Sequence, residues 1–154
     1  MIPEKVRAVL AAHGLSALEY EPGSTPTAEM AAARIGVGVS QIAKSILLAG
    51  KDGVFRMAIL PGDAKISSAK IKGVTGVKHS MASPEDTLRV TGFRPGGVCP
   101  FGVDGIQIYV DEGLSRYPLV YPAAGTDATG VPMTFDQLVQ ISGGTVASIA
   151  ADGD

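Results

Sequence analysis

The chain has 154 residues, 45% apolar and 18% charged, which suits one core-forming domain spanning 1–154 and leaves too little charge for wholesale disorder. A formal net charge of −2 argues against strong non-specific nucleic-acid binding, so DNA is not an expected partner. One cysteine, Cys99, excludes an internal disulfide, no apolar run approaches the about 18 residues of a membrane span, and the first residues lack a signal peptide's basic and apolar regions; a cytoplasmic protein with no membrane partner is expected.

In chain order, Pro3 to His13 reads as a helix, with Val6, Val9 and Leu10 at helical spacing and Gly14 to stop it. Leu15 to Tyr20 reads as a short strand and Pro22-Gly23-Ser24 as a turn. Thr27 is a suitable cap for a second helix running to Gly36. Ser40 to Ala43 makes a further helical turn. Two apolar runs, Ile46 to Ala49 and Val54 to Leu60, flank Lys51-Asp52-Gly53, and Asp-Gly between such runs signals a hairpin. Pro61-Gly62-Asp63 turns the chain out of it.

Ser67 or Ser68 caps a short helix holding Ile71, and Ser83-Pro84-Glu85-Asp86 opens another. Ile106 to Asp111 and Leu119 to Ala123 read as strands. Thr134-Phe135-Asp136-Gln137 is a capping box, Gly143-Gly144 ends its helix, and Thr145 to Ile149 is a last strand. Alternating helices and strands with at least one hairpin predict an α+β domain with a mixed sheet, not a doubly wound parallel one.

Several chemistries find no motif. There is no Cys/His cluster with zinc spacing, no Gly-x-Ser-x-Gly elbow, no phosphate-cradling P-loop and no complete dinucleotide fingerprint, so no metal or cofactor is expected. His13 sits at a helix end, where it complements the dipole. Lys65, Lys70, Lys72 and Lys78 fall together beside His79 with no acid among them. They are either a solvated helix and its turn or a local phosphate patch, and composition favours the first.

Two features carry more. Lys44 stands in Ile42-Ala43-Lys44-Ser45-Ile46, where strand alternation puts it on one face with Ile46 and Leu48. It either snorkels outward at the strand's start or faces a cleft as a cation for an anionic or carbonyl ligand. Pro95-Gly96-Gly97-Val98-Cys99-Pro100-Phe101-Gly102 fixes an unusual path and lets a ligand approach main-chain groups, or is simply a tight connection. Cys99 as a nucleophile lacks a neighbouring base in sequence; a packed or pocket-lining cysteine fits better.

The ordered set Thr27-Ala28-Glu29, Gln41 to Leu47, Pro61-Gly62-Asp63, Thr91-Gly92, Gly96-x-x-x-Pro100-Phe101-Gly102, Asp111 and Ala124-Gly125 resembles the YbaK/ProX family of aminoacyl-tRNA deacylases, also found as an editing domain of some prolyl-tRNA synthetases. The resemblance implies a compact, mostly antiparallel, barrel-like mixed sheet with surrounding helices. It implies hydrolysis of mischarged tRNA, with tRNA for proline carrying Ala, Cys or another small residue as substrate and prolyl-tRNA synthetase as a further partner. Its catalytic positions fall on Lys44, Gly96 and Pro100, with substrate contacts at Gly97, Val98, Cys99, Thr27, Asp63 and Gly125; the phosphate-patch reading of the lysine cluster, which rests on local charge alone, would put Lys70, Lys72 and Lys78 against the tRNA. No protein nucleophile is implied; a ribose hydroxyl of the tRNA or the substrate itself assists. Gly130 stands where Cys-specific members carry an acid, and Met30 where many carry a second one, which bears on specificity. The alternative is a non-catalytic module of the same fold that binds tRNA or a synthetase.

Overall fold

The computed structural model describes residues 1–152. Five helices are α1 (Glu4–Ala12), α2 (Ala28–Ile35), α3 (Ser68–Thr75), α4 (Pro84–Thr91) and α5 (Phe135–Ser142). Seven strands are β1 (Leu18–Glu19), β2 (Ala43–Gly50), β3 (Phe55–Pro61), β4 (His79–Met81), β5 (Gln107–Asp111), β6 (Thr129–Gly130) and β7 (Thr145–Ala147). Short 3-10 turns lie at Val39–Gln41 and Glu112–Arg116.

The helix starts follow local chemistry. Thr27, Ser67, Ser83 and Thr134 each accept a hydrogen bond from the amide three residues on, and the Thr134 amide in turn donates to Gln137 Oε1. Such caps contribute about 1 kcal/mol each by satisfying amides that a helix leaves orphaned. Gly36 closes α2 at φ +89°, a conformation that side chains disfavour.

The main sheet has the order β4-β2-β3-β5-β7. The β2–β3 hairpin is antiparallel and pairs Lys44 with Leu60; β4 is antiparallel to β2, while β5 runs parallel to β3 and β7 parallel to β5. A separate antiparallel pair joins β1 to β6. The mixed sheet expected from sequence is present, and antiparallel pairings outnumber parallel ones three to two. The sheet is open at both edges and does not close into a barrel. Leu119 to Ala123 makes only single bridges, Tyr121 to Ile42 and Val120 to Met133.

Alternation along the strands divides the core. Ala43, Met57, Ile59, Ile108 and Val110 face one side with Val6 and Leu10 of α1, Leu138 of α5, Phe93 and Phe101. Leu48, Ala58, Leu60 and Tyr109 face the other with Ile71 of α3 and Ile149. A third group, Ala31, Ala32 and Ile42, holds α2 against the start of β2. Burying each large aliphatic side chain is worth about 1.5–3 kcal/mol.

Candidate active site

A cavity of about 220 Å³ opens beside the first half of β2. Lys44 and Ser45 line it from the strand, Thr25 and Thr27 from the segment leading into α2, Ala31 from α2, and Gly96 and Val98 from the Gly-rich loop, with Tyr121 and Thr129 completing the lining. Among the described residues, Lys44 is the one charged residue of its lining. The structure thus brings together four residues expected from sequence: Lys44, Gly96, Val98 and Thr27.

The register of β2 explains why the cavity sits there. Gly50 donates to Val54 across the hairpin at 2.9 Å, so the main-chain groups of Leu48, Ile46 and Lys44 also point at β3. Those of Ala43, Ser45 and Leu47 point to the opposite edge. There, β4 covers only Leu48 to Gly50, and the Ala82 amide reaches the Leu47 carbonyl at 2.9 Å. At the other end the Ala43 amide donates to the Tyr121 carbonyl at 3.2 Å. Between these two contacts the edge has no main-chain partner among the described residues, and Ser45 at its middle lines the cavity.

Lys44 is half-buried, and its ammonium donates to the Gly62 carbonyl at 3.2 Å. Burial holds its pKa below the usual lysine value, Glu29 and Asp63 oppose that shift, and Lys65 adds to it. Two of its three N–H donors remain for a ligand. The Pro61-Gly62-Asp63 turn is pressed onto α2: a Cβ on Gly62 would meet Ala28 Cβ at 2.9 Å and would also meet the Val39 carbonyl. The carbonyl that orients Lys44 is therefore fixed by close main-chain packing.

Gly96 adopts φ +94°, and a Cβ there would meet the Pro26 carbonyl at 3.0 Å. The Gly-rich loop can then lie directly against the segment leading into α2. Gly97 and Gly125 act behind the cavity wall, where their loops abut. Pro100 and Cys99 are buried and do not line the cavity. Cys99 lies in the core with Phe93 and Phe101, and burial pushes its thiol pKa up to about 12. This differs from the expectation that it walls the pocket, because it points into the core while Val98 meets the cavity.

Asp63 accepts from Ser40 Oγ at 3.0 Å and borders a second cavity of about 680 Å³ with Lys65, Arg116 and Tyr117. Lys70 is already engaged: its ammonium donates to the Ala150 carbonyl at 2.9 Å and to Asp152 at 2.8 Å. Lys72 and Lys78 are exposed. Sequence reasoning missed Thr25, Ser45, Tyr121 and Thr129. Ser45 follows Lys44 directly, but alternation assigns it to the other face, and only the uncovered strand edge brings both to one cavity.

The chain matches the family profile described as an aminoacyl-tRNA editing domain over residues 22–141. It belongs to this family. The uncharacterised protein YwhH of Bacillus subtilis (strain 168) is 38% identical over 125 residues, covering 80% of this chain and 79% of that protein. A proline–tRNA ligase of Fervidobacterium nodosum is 34% identical over 94 residues, covering 60% of this chain and 16% of the ligase. A crystal structure provisionally assigned as a trans-editing enzyme for prolyl-tRNA synthetase superposes with a TM-score of 0.87 at 31% identity, covering 99% of this chain and all of that one. The fold is therefore the one used by a prolyl-tRNA synthetase-associated editing domain acting in trans. No helix among the described residues is long and apolar enough to cross a membrane.

Proposed function

We propose that this chain is a free-standing aminoacyl-tRNA deacylase that removes a small, wrongly attached amino acid from tRNA in the cytoplasm, with tRNA for proline as the principal carrier. The observation that carries the reading is the meeting of Lys44 with Gly96 and Val98 around one small cavity. At about 220 Å³ it lies below the roughly 300–1,000 Å³ of sites for drug-sized ligands, a size for a small side chain. A synthetase cannot exclude a substrate smaller than its own by more than about 1–3 kcal/mol per methylene, so a second hydrolytic sieve has a purpose.

The chemistry is ester hydrolysis. Water attacks the aminoacyl carbonyl, the bond to the ribose oxygen breaks, and that oxygen takes up a proton to regenerate the tRNA hydroxyl. The Lys44 ammonium, held by the Gly62 carbonyl, stabilises the negative charge that builds on the carbonyl oxygen. The Gly96–Val98 segment orients the acyl group. A neighbouring ribose hydroxyl of the tRNA assists the water, so Cys99 has no part in the step.

The test is deacylation of a panel of mischarged tRNAs by the wild type and Lys44→Ala. The wild type should hydrolyse small aminoacyl esters, and Lys44→Ala should lose at least about tenfold in kcat/KM, equivalent to about 1.4 kcal/mol. No turnover of any mischarged tRNA would overturn the reading, and tRNA binding without turnover would assign a binding module instead.

A further inference from the structure

Two buried hydroxyls that line the Lys44 cavity lack partners among the described residues. Thr25 is 4% exposed and Ser45 9%, and neither Thr25 Oγ1 nor Ser45 Oγ has a hydrogen-bond partner among the described residues. Both residues line the Lys44 cavity. Buried hydroxyls elsewhere are satisfied: Thr91 Oγ1 donates to the Thr87 carbonyl at 2.6 Å, and Thr129 Oγ1 accepts from the Ala124 amide at 2.9 Å. The third orphan, Ser24, adjoins Thr25 in the chain. An unpartnered buried hydroxyl is disfavoured unless something else completes it, and here two of the three share one ligand-sized space.

Resting on the deacylase reading, we propose that Thr25 and Ser45 select a small side chain that carries a hydroxyl, serine or threonine, over alanine and cysteine. A hydroxyl both donates and accepts, so one such group can satisfy both orphans. The Ser45 main-chain amide and carbonyl, turned to the same uncovered edge, offer a further fixed donor and acceptor. The substrate's ammonium group does not suit this place. Among the described residues the lining holds no carboxylate, Glu29 and Asp63 acting on Lys44 from outside it, and its one charge is the Lys44 cation. The ester carbonyl goes to Lys44, and the uncharged side chain goes to the hydroxyls. Alanine would leave both orphans unpaired, and cysteine offers only a weak sulfur donor and acceptor.

The experiment compares kcat/KM on one tRNA charged with serine, threonine, alanine or cysteine, for the wild type, Thr25→Val and Ser45→Ala. The wild type should favour serine or threonine over alanine at least tenfold, and each variant should bring that ratio towards one. Melting curves supply a second readout. Because the hydroxyls are unpaired in the free protein, both variants should melt at or above the wild-type temperature, whereas hydroxyls that hold the fold would lower it when removed. A wild type that prefers alanine or cysteine, or a ratio unmoved in both variants, overturns the assignment and leaves the deacylase reading standing. Failure to hydrolyse any charged tRNA removes both.

Discussion

A Cβ on Gly97 would lie 2.9 Å from both the carbonyl carbon and the oxygen of Gly125. The two loops behind the cavity therefore meet main chain to main chain, and any side chain at Gly97 forces them apart. Gly125 cannot retreat freely, since a Cβ on it would itself strike the Phe93 ring at 2.9 Å. Gly97→Ala should cost about 1–3 kcal/mol by overpacking and lower deacylation through displacement of Gly96 and Val98. Gly73→Ala is the control: it lies within α3 with open space around it, and it should stabilise by about 0.5–1 kcal/mol. Denaturant melts of the two variants check the pair.

Lys44 gives a pH prediction with a definite sign. Burial holds its pKa in the folded protein below the usual 10.5. Between the two values the unfolded chain binds more protons than the fold, so this group's contribution to stability rises with pH across that window. Below it, the half-buried charge is a standing penalty. Lys44→Met should fold at least as stably as the wild type at neutral pH, lose that alkaline rise, and lose deacylation at least tenfold. After subtraction of uncatalysed ester loss, wild-type kcat/KM should fall at alkaline pH with an apparent pKa below 10.5.

Cys99 should be inert. Its thiol is fully buried and its pKa is raised to about 12. Native protein at pH 8 should not react with iodoacetamide, while denatured protein should react fully; mass spectrometry distinguishes the two. Cys99→Ala should destabilise by about 0.5–3 kcal/mol through the space it leaves, with turnover retained.

Asp111 ties the C-terminal segment to the sheet. It is 4% exposed; Oδ1 accepts from the Ile149 and Ala150 amides and Oδ2 from Gly113, each at 2.9 Å. Asp111→Ala orphans all three amides and should cost about 2–4 kcal/mol, read from the shift of the denaturant midpoint at constant slope.

What local chemistry decides was legible. Thr27, Ser83 and Thr134 open helices because the cap and the first turn are neighbours in sequence. The Asp52-Gly53 hairpin and the shared face of Lys44, Ile46 and Leu48 follow from turn chemistry and alternation. What depends on distant partners was not. β4 and β6 are too short to show a period, and each exists because a strand edge elsewhere accepts it. Leu119 to Ala123 has strand composition but meets a partner at single residues, so no ladder forms. At the site, Lys44 and the Gly-rich loop were visible as unusual residues. Thr25 and Ser45 were not, because an ordinary hydroxyl becomes informative only when nothing around it answers.

The uncovered stretch at Ser45 has a consequence for how the molecule behaves among other proteins. An open strand edge invites another chain to add a strand, and addition needs a run of alternating paired residues. Here the Tyr121 and Ala82 contacts close the edge on either side, leaving unpaired only the short stretch from the Ala43 carbonyl to the Leu47 amide. That slot is too short for a β-strand to zip onto and long enough for a single acyl group to enter. The same interruption that offers the main chain to a small ligand withholds it from a polypeptide.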